Sequence, residues 1–410
     1  MAKMQDDIQI NKVRLTRSER WGKLGELLGG YDFGVIILVL ILSFFGVAMV
    51  FSAGYYTTLT LPTPDPLYYL RRQLMWVLTG FIWMILFANI NYRIYRKTYP
   101  IAAVLSLALL IIVLLVGTSV NNAQRWIEIA GVRVTPSEFS KVFMIIFTAG
   151  FLAKDSNNIR TIKGLTVLLI MMGAHAWLIM IQPNLSTAMV IVMIIIAIMV
   201  VAGLNWFFLV VPAMGAVGLY FYIMTSRTPL HWYTRISSFM DPFADRQGDG
   251  YQVTQGLIAL GNGGLRGLGF GNSVSKNLYL PEPQNDFILA ILGEELGFVG
   301  FVILMALYMF LVYRLFMIAL NARDKLGLYL VTGVGAMLGL QVIINVAVVT
   351  SSMPATGITL PFISYGGTSI WAFMMAMGIA LNVSKQSRAY DRKRREAAIA
   401  AEIDETKAVV

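Results

Sequence analysis

Between residues 279 and 295 the chain reads Tyr-Leu-Pro-Glu-Pro-Gln-Asn-Asp-Phe-Ile-Leu-Ala-Ile-Leu-Gly-Glu-Glu, a polar loop carrying Pro281 and Pro283 that runs into a long apolar stretch. Asp286 stands at the boundary. A carboxylate in the first turn of a membrane helix meets the positive end of the helix dipole and lies beside water, so it stays ionised where a deeper one would not. Such a group suits general-base chemistry on a hydroxyl, although helix capping alone also explains an acid at a helix start. Glu138 and Lys141, three residues apart, share a helix face near a membrane boundary. That pair either serves a site or only lets the helix insert. Glu294 and Glu295 follow Asp286 by eight and nine residues, about 12 Å further along a helix, and are expected to be held by polar packing.

The elements that must position these groups follow from composition. A chain that is 57% hydrophobic and 13% charged cannot hide its apolar surface in water, so it is read as a polytopic membrane protein. Cysteine is absent and only His175 and His231 are imidazoles, which excludes disulfides, a thiol nucleophile and a multi-histidine metal centre. His175, alone in an apolar span, reads as a packed histidine, and Asp241, Asp245 and Asp249 fit no calcium-loop spacing.

Ten apolar segments near the ~20 residues a bilayer requires lie at 32–53, 73–90, 99–117, 138–153, 164–182, 185–203, 206–225, 286–313, 327–350 and 366–384. The expectation is therefore an all-α fold of ten transmembrane helices. With the N-terminus inside, most of the 32 Lys and Arg residues fall in inner segments, which puts both termini in the cytoplasm. On this reading residues 1–30 and 386–410 are basic cytoplasmic tails, 31–385 is the membrane domain, and 226–285 is a large extracytoplasmic loop between helices 7 and 8. Arg388, Arg392, Lys393, Arg394 and Arg395 suit an anionic inner leaflet. Nucleic acid is not an expected partner despite a pI near 9.6, because the basic residues flank spans and form no recognition motif.

Polar groups outside the bilayer gather on one face, in 118–141 and in the long loop. That loop holds Trp232, Tyr233, Phe239, Phe243, Tyr251 and Ile258, and is expected to pack as short amphipathic pieces. Its glycine cluster, Gly261 to Gly271, is not a nucleotide loop, since it follows no strand and faces outward. Close backbone approach is the expected use, with Arg266 and free N–H groups available to an anionic lipid head.

Seven motifs then carry a resemblance. Ala-Gln-Arg-Trp-Ile (123–127), Pro-Ser-Glu-Phe-Ser-Lys (136–141), Gln-Pro-Asn-Leu-Ser-Thr-Ala (182–188), Gly-Tyr-Gln-Val-Thr-Gln (250–255), Leu-Pro-Glu-Pro-Gln-Asn-Asp-Phe-Ile (280–288), Gly-Glu-Glu-Leu-Gly (293–297) and Leu-Pro-Phe-Ile-Ser-Tyr-Gly-Gly-Thr-Ser (360–369) resemble the SEDS family of FtsW, RodA and SpoVE over residues 30–385. The extended tails make the division type, FtsW, the nearer likeness. The resemblance implies a bacterial inner-membrane enzyme of cell-wall synthesis. Such an enzyme polymerises lipid II beside a class B penicillin-binding protein and other divisome or elongasome proteins. It places the family's essential aspartate at Asp286, its motif arginine at Arg125, and its Glu and Lys at Glu138 and Lys141. Thr135, Asn184 and Asn285 depart from the usual family residues, so position 184 supplies no carboxylate.

One carboxylate is enough for that reaction. Glycosidases need an acid because an alkoxide leaves poorly, whereas a lipid pyrophosphate is already a stable anion and needs positive charge. Asp286 is the expected base; Arg125, Lys141, Arg266 and Lys276 are the expected cations near the phosphates, with a divalent Mg or Mn ion as an optional addition. Glu138, Glu282, Ser364 and Tyr365 complete the expected substrate-binding set. Two other classes stay open. A lipid flippase would suit ten helices broken near Pro183 and Pro361, but its essential charges would line a midplane cavity. A noncatalytic scaffold for the crosslinking enzyme would leave Asp286 dispensable.

Overall fold

A computed structural model gives the architecture and describes residues 30–205 and 250–409, apart from residues 61, 63, 121–122, 130–131 and 156, together with scattered positions between 206 and 249. Apolar runs this long become helices because lipid offers the backbone no hydrogen-bond partner. The described helices are α1 (Phe33–Leu59), α2 (Tyr68–Asn89), α3 (Tyr95–Val116), α4 (Pro136–Lys154), α5 (Ile162–Ile181), α6 (Leu185–Val201), α7 (Tyr251–Gly263), α8 (Ile288–Leu320), α9 (Lys325–Val349) and α10 (Gly367–Val409). Eight of these are long and apolar enough to cross a membrane, and α6 is a shorter apolar helix of 17 residues. The expected segment at 206–225 lies largely outside the described residues, as does most of 226–249. Within the long loop, α7 is one of the expected amphipathic pieces, burying Val253, Thr254 and Ala259 and exposing Ile258.

Local chemistry sets the helix starts. Asp32, Thr161, Asn184 and Asp324 each accept a backbone N–H in the first turn of α1, α5, α6 and α9, and Pro136 opens α4 where its missing N–H costs nothing. The most enclosed span is the membrane part of α10, 89% buried against 28% for α2, α3 and α5, and α2, α4, α8 and α9 pack against it. Past the membrane α10 continues as a helix through the residues expected to form a separate tail.

The all-α expectation needs one correction. Residues 118–134 form a three-stranded antiparallel sheet in the order β1 (Thr118–Val120), β2 (Ala123–Ile129) and β3 (Val132–Val134), joining α3 to α4. Outside the bilayer, alternating side chains suit such a ribbon, and Ile127 pairs with Val134 and Glu128 with Arg133 across it.

A second feature was not foreseen. α8 is broken at Gly297, whose φ of 65° and ψ of −167° are not helical. An unbroken helix would join Phe298 N to Glu294 O and Val299 N to Glu295 O. Instead Phe298 and Val299 donate to Gly264 O and Leu265 O at 2.9 and 3.2 Å, while Glu294 O and Glu295 O accept from Leu268 N and Gly269 N, both at 2.9 Å. The glycine cluster therefore splices the helix. A side chain at Gly267, where φ is 74°, would put a Cβ 2.2 Å from Glu295 O, so close backbone approach is indeed its use.

Candidate active site

Asp286 lies half-buried in the turn preceding α8, two residues before the first helical residue and not in the first turn as expected. Its carbonyl accepts from Asn345 Nδ2 at 2.9 Å, and Ala290 N turns to Phe287 O at 2.9 Å, which starts the helix later. The carboxylate lies beside residues 356–358, since a Cβ added at Gly357 would stand 3.9 Å from Asp286 Oδ2. The turn is fixed upstream as well. Tyr365 N donates to Gln284 O at 2.8 Å, and Gln284 Nε2 donates to the Tyr69 hydroxyl at 3.0 Å.

The 356–358 wall connects Asp286 to the other motif residues. Ser186, in the first turn of α6, donates to Thr356 O at 2.9 Å. Ahead of α6, Gln182 O accepts from Arg125 Nε at 3.0 Å and Pro183 O accepts from Arg125 Nη2. Arg125 thus reaches from β2 across the 182–184 turn. Asp286, Arg125, Ser186 and Thr356 consequently belong to one rim, at the same end of the bundle.

Lys141 is 2% exposed and donates to Glu138 Oε1 at 2.8 Å, within the first turns of α4. Glu138 Oε2 is buried with no hydrogen-bond partner among the described residues, so the pair is satisfied on one side only. Glu282 is exposed at the mouth of the Asp286 turn, accepts from Asn285 Nδ2 at 2.6 Å and has a φ of 44°. Tyr365 stacks edge-on against Tyr69, ring centroids 5.0 Å apart, and burial raises its phenol above the ordinary range despite the nearby Arg72 guanidinium. Ser364 is buried, its Oγ accepting from Leu360 N at 2.8 Å, so its hydroxyl shapes the 360–364 turn.

Two expected phosphate cations are placed differently. Lys276 is 3% exposed and directs Nζ to Glu295 Oε1 at 2.8 Å, Ser52 Oγ at 3.0 Å and Gly271 O at 2.6 Å. With all three donors committed it neutralises a buried acid, and the expectation of a phosphate ligand is corrected accordingly. Arg266 is exposed on the glycine turn that splices α8, beside Gly297 and about three helical turns past Asp286, and so stands apart from the rim. Glu294 accepts from Asn262 Nδ2 at 3.1 Å, Ser275 N at 3.1 Å and the Ser273 hydroxyl, the polar packing expected of it. His175 is packed as expected, bonded to Met171 O and Ser106 Oγ. Among the described residues no three His, Asp or Glu side chains group as a metal cage requires.

The Cell cycle protein family of FtsW, RodA and SpoVE matches residues 33–389, nearly the whole described chain. The chain belongs to this family. Stage V sporulation protein E of Bacillus subtilis (strain 168) is 38% identical over 360 residues, covering 87% of this chain and 98% of that protein. A probable peptidoglycan glycosyltransferase FtsW of Trichlorobacter lovleyi is 34% identical over 364 residues, covering 87% and 94%. Among solved structures, the crystal structure of Thermus thermophilus RodA superposes with a TM-score of 0.65 at 26% identity, over 87% of this chain and 97% of that one. A chain from a peptidoglycan synthase complex described as coordinating polymerization and crosslinking superposes with a TM-score of 0.70 at 26% identity, over 87% and 98%. A multi-pass membrane protein of the FtsW/RodA/SpoVE fold is thereby established, with relatives named for sporulation and relatives named as probable peptidoglycan glycosyltransferases.

Sequence reasoning missed Asn345, Ser186 as a tether, and the break at Gly297. For Asn345 a signal existed: a carboxamide inside an apolar span is costly unless partnered, just as an ionisable group is.

Proposed function

We propose that this protein is a peptidoglycan glycosyltransferase that polymerises lipid II at the outer face of the bacterial inner membrane. The observation that carries this reading is the placing of Asp286: a half-buried carboxylate in the turn before α8, beside Gly357, on the rim that also holds Arg125. In this reading Asp286 accepts the proton of the acceptor GlcNAc 4-hydroxyl as that oxygen attacks C1 of the donor MurNAc. The bond from C1 to the pyrophosphate oxygen breaks with inversion, and undecaprenyl pyrophosphate leaves with the electron pair. Arg125 and Lys141 contribute the positive charge that steadies the leaving anion. Membership of the family and the names of its FtsW relatives support the reaction class. The similarity to a chain of a peptidoglycan synthase complex supports a crosslinking partner, a class B penicillin-binding protein.

A transporter needs charges open to a midplane cavity, whereas the deeper acids Glu294 and Glu295 are engaged by the loop and by Ser52. The deciding assay uses purified protein with its crosslinking partner and labelled lipid II. Glycan ladders on a gel are expected from the wild-type chain. Asp286→Asn should remove them, because a positioned proton acceptor contributes ~10² to 10⁴ in rate. A near-normal ladder from that variant would sink the assignment, and no ladder from the wild type would favour the transport or scaffold reading.

A further inference from the structure

We infer that Asn345 is a positioning residue for Asp286. It lies near the end of α9, 1% exposed, in the apolar run Val342-Ile343-Ile344-Asn345-Val346-Ala347-Val348. A carboxamide in such surroundings is costly unless its donors are used. Asn345 uses both, because Nδ2 donates to Asp286 O at 2.9 Å and to Ile358 O at 2.8 Å. Oδ1 has no partner among the described residues, so the two donations are what the side chain supplies.

Those donations settle where Asp286 stands. Were α8 to begin earlier, Asp286 O would receive the Ala290 N–H. Asn345 occupies that carbonyl, and Ala290 N donates to Phe287 O instead. The helix therefore begins at Ile288, and Asp286 remains in the preceding turn. The second donation holds Ile358, the neighbour of Gly357, against which the carboxylate lies. One amide thus fixes both the backbone that carries the carboxylate and the backbone that faces it. Asn345 touches neither carboxylate oxygen in these bonds, so it acts through Asp286 and is not itself catalytic.

The inference rests on Asp286 being the base, and the experiment separates the two. Steady-state lipid II polymerisation is measured for the full chain with its crosslinking partner, comparing wild type, Asn345→Asp, Asn345→Ala, Asn345→Gln, Asp286→Asn and Thr148→Ala. Thr148 is a buried residue in α4 away from the rim, its hydroxyl without a hydrogen-bond partner among the described residues, and controls for truncation of an interior side chain. Asn345→Asp keeps the shape and loses the donors, which preserves the test should Asn345→Ala fail to fold. The expected result is a kcat lowered ~10- to 100-fold in Asn345→Asp and Asn345→Ala, with the KM for lipid II within about twofold of wild type. Asn345→Gln, which retains two donors, should recover part of the rate, and Thr148→Ala should keep a normal kcat. A normal kcat in Asn345→Asp beside an inactive Asp286→Asn overturns this inference alone. So does a loss confined to KM, or an equal fall in Thr148→Ala. An active Asp286→Asn overturns the base reading and this inference with it.

Discussion

Replacing Lys276 with Met tests the buried ion pair most directly. Lys276 and Glu295 are 3% and 0% exposed and 2.8 Å apart, so neither charge is solvated when its partner is gone. Removing one member of a buried pair costs about 3–5 kcal/mol, because the survivor is left as an uncompensated charge. Against a total stability on the order of 5–15 kcal/mol, that is a large share. The double change Lys276→Met with Glu295→Gln removes both charges and should return to within about 2 kcal/mol of wild type. Equilibrium unfolding in mixed detergent micelles, followed by circular dichroism, measures both differences. A single variant losing less than about 1 kcal/mol would refute the reasoning, as would a double variant no more stable than the single. Since Lys276 is committed to Glu295, Ser52 and Gly271, the double variant should also keep the lipid II KM of the wild type.

Substitutions at three further positions probe other parts of the frame. Gly267→Ala meets both a φ of 74° and a backbone oxygen 2.2 Å from the new Cβ, and should lower stability by about 2–4 kcal/mol. Gly261→Ala, inside α7 with open space around it, should be neutral or raise stability by about 0.5–1 kcal/mol in the same unfolding measurement. Asp32→Ala removes the α1 cap at Val35 N and the pairs to Arg314 and Arg388, whose side chains are 26% and 38% exposed. Solvent screening limits the ion-pair share, so the expected cost is about 1–3 kcal/mol; Asp32→Asn should retain the cap's part, and added salt should narrow the gap between wild type and Asp32→Asn.

What the sequence made legible follows from what lipid and polar groups each demand. Spans were readable because the bilayer requires ~20 apolar residues whatever surrounds them, although their limits shift by several residues: 73–90 became Tyr68–Asn89, and 286–313 became Ile288–Leu320. Charged residues at span ends were readable because each is expensive there, and Glu138 does meet Lys141. Which cation goes where was not readable. Lys276 and Arg266 sit ten residues apart in one polar loop, yet one is buried against Glu295 and the other is exposed. Only the fold back onto α8 decides between them. The sheet had a usable signal, Ile-Glu-Ile and Val-Arg-Val around Ala130-Gly131, which is the alternation of a hairpin. Asn345 was visible as a carboxamide in an apolar run, but its partners were not, because they are backbone carbonyls, at positions 286 and 358, that leave no trace in residue type.

The splice at Gly297 also bears on how the chain is assembled. Four backbone groups around the break, those of Glu294, Glu295, Phe298 and Val299, find their partners only in residues 264–269. In hydrocarbon each such group left unmatched costs several kcal/mol. α8 cannot therefore settle as an independent span and then recruit its loop. Loop and helix form one cooperative unit, so the amides of Leu268, Gly269, Phe298 and Val299 should share a single opening free energy in hydrogen exchange, that of the unit as a whole.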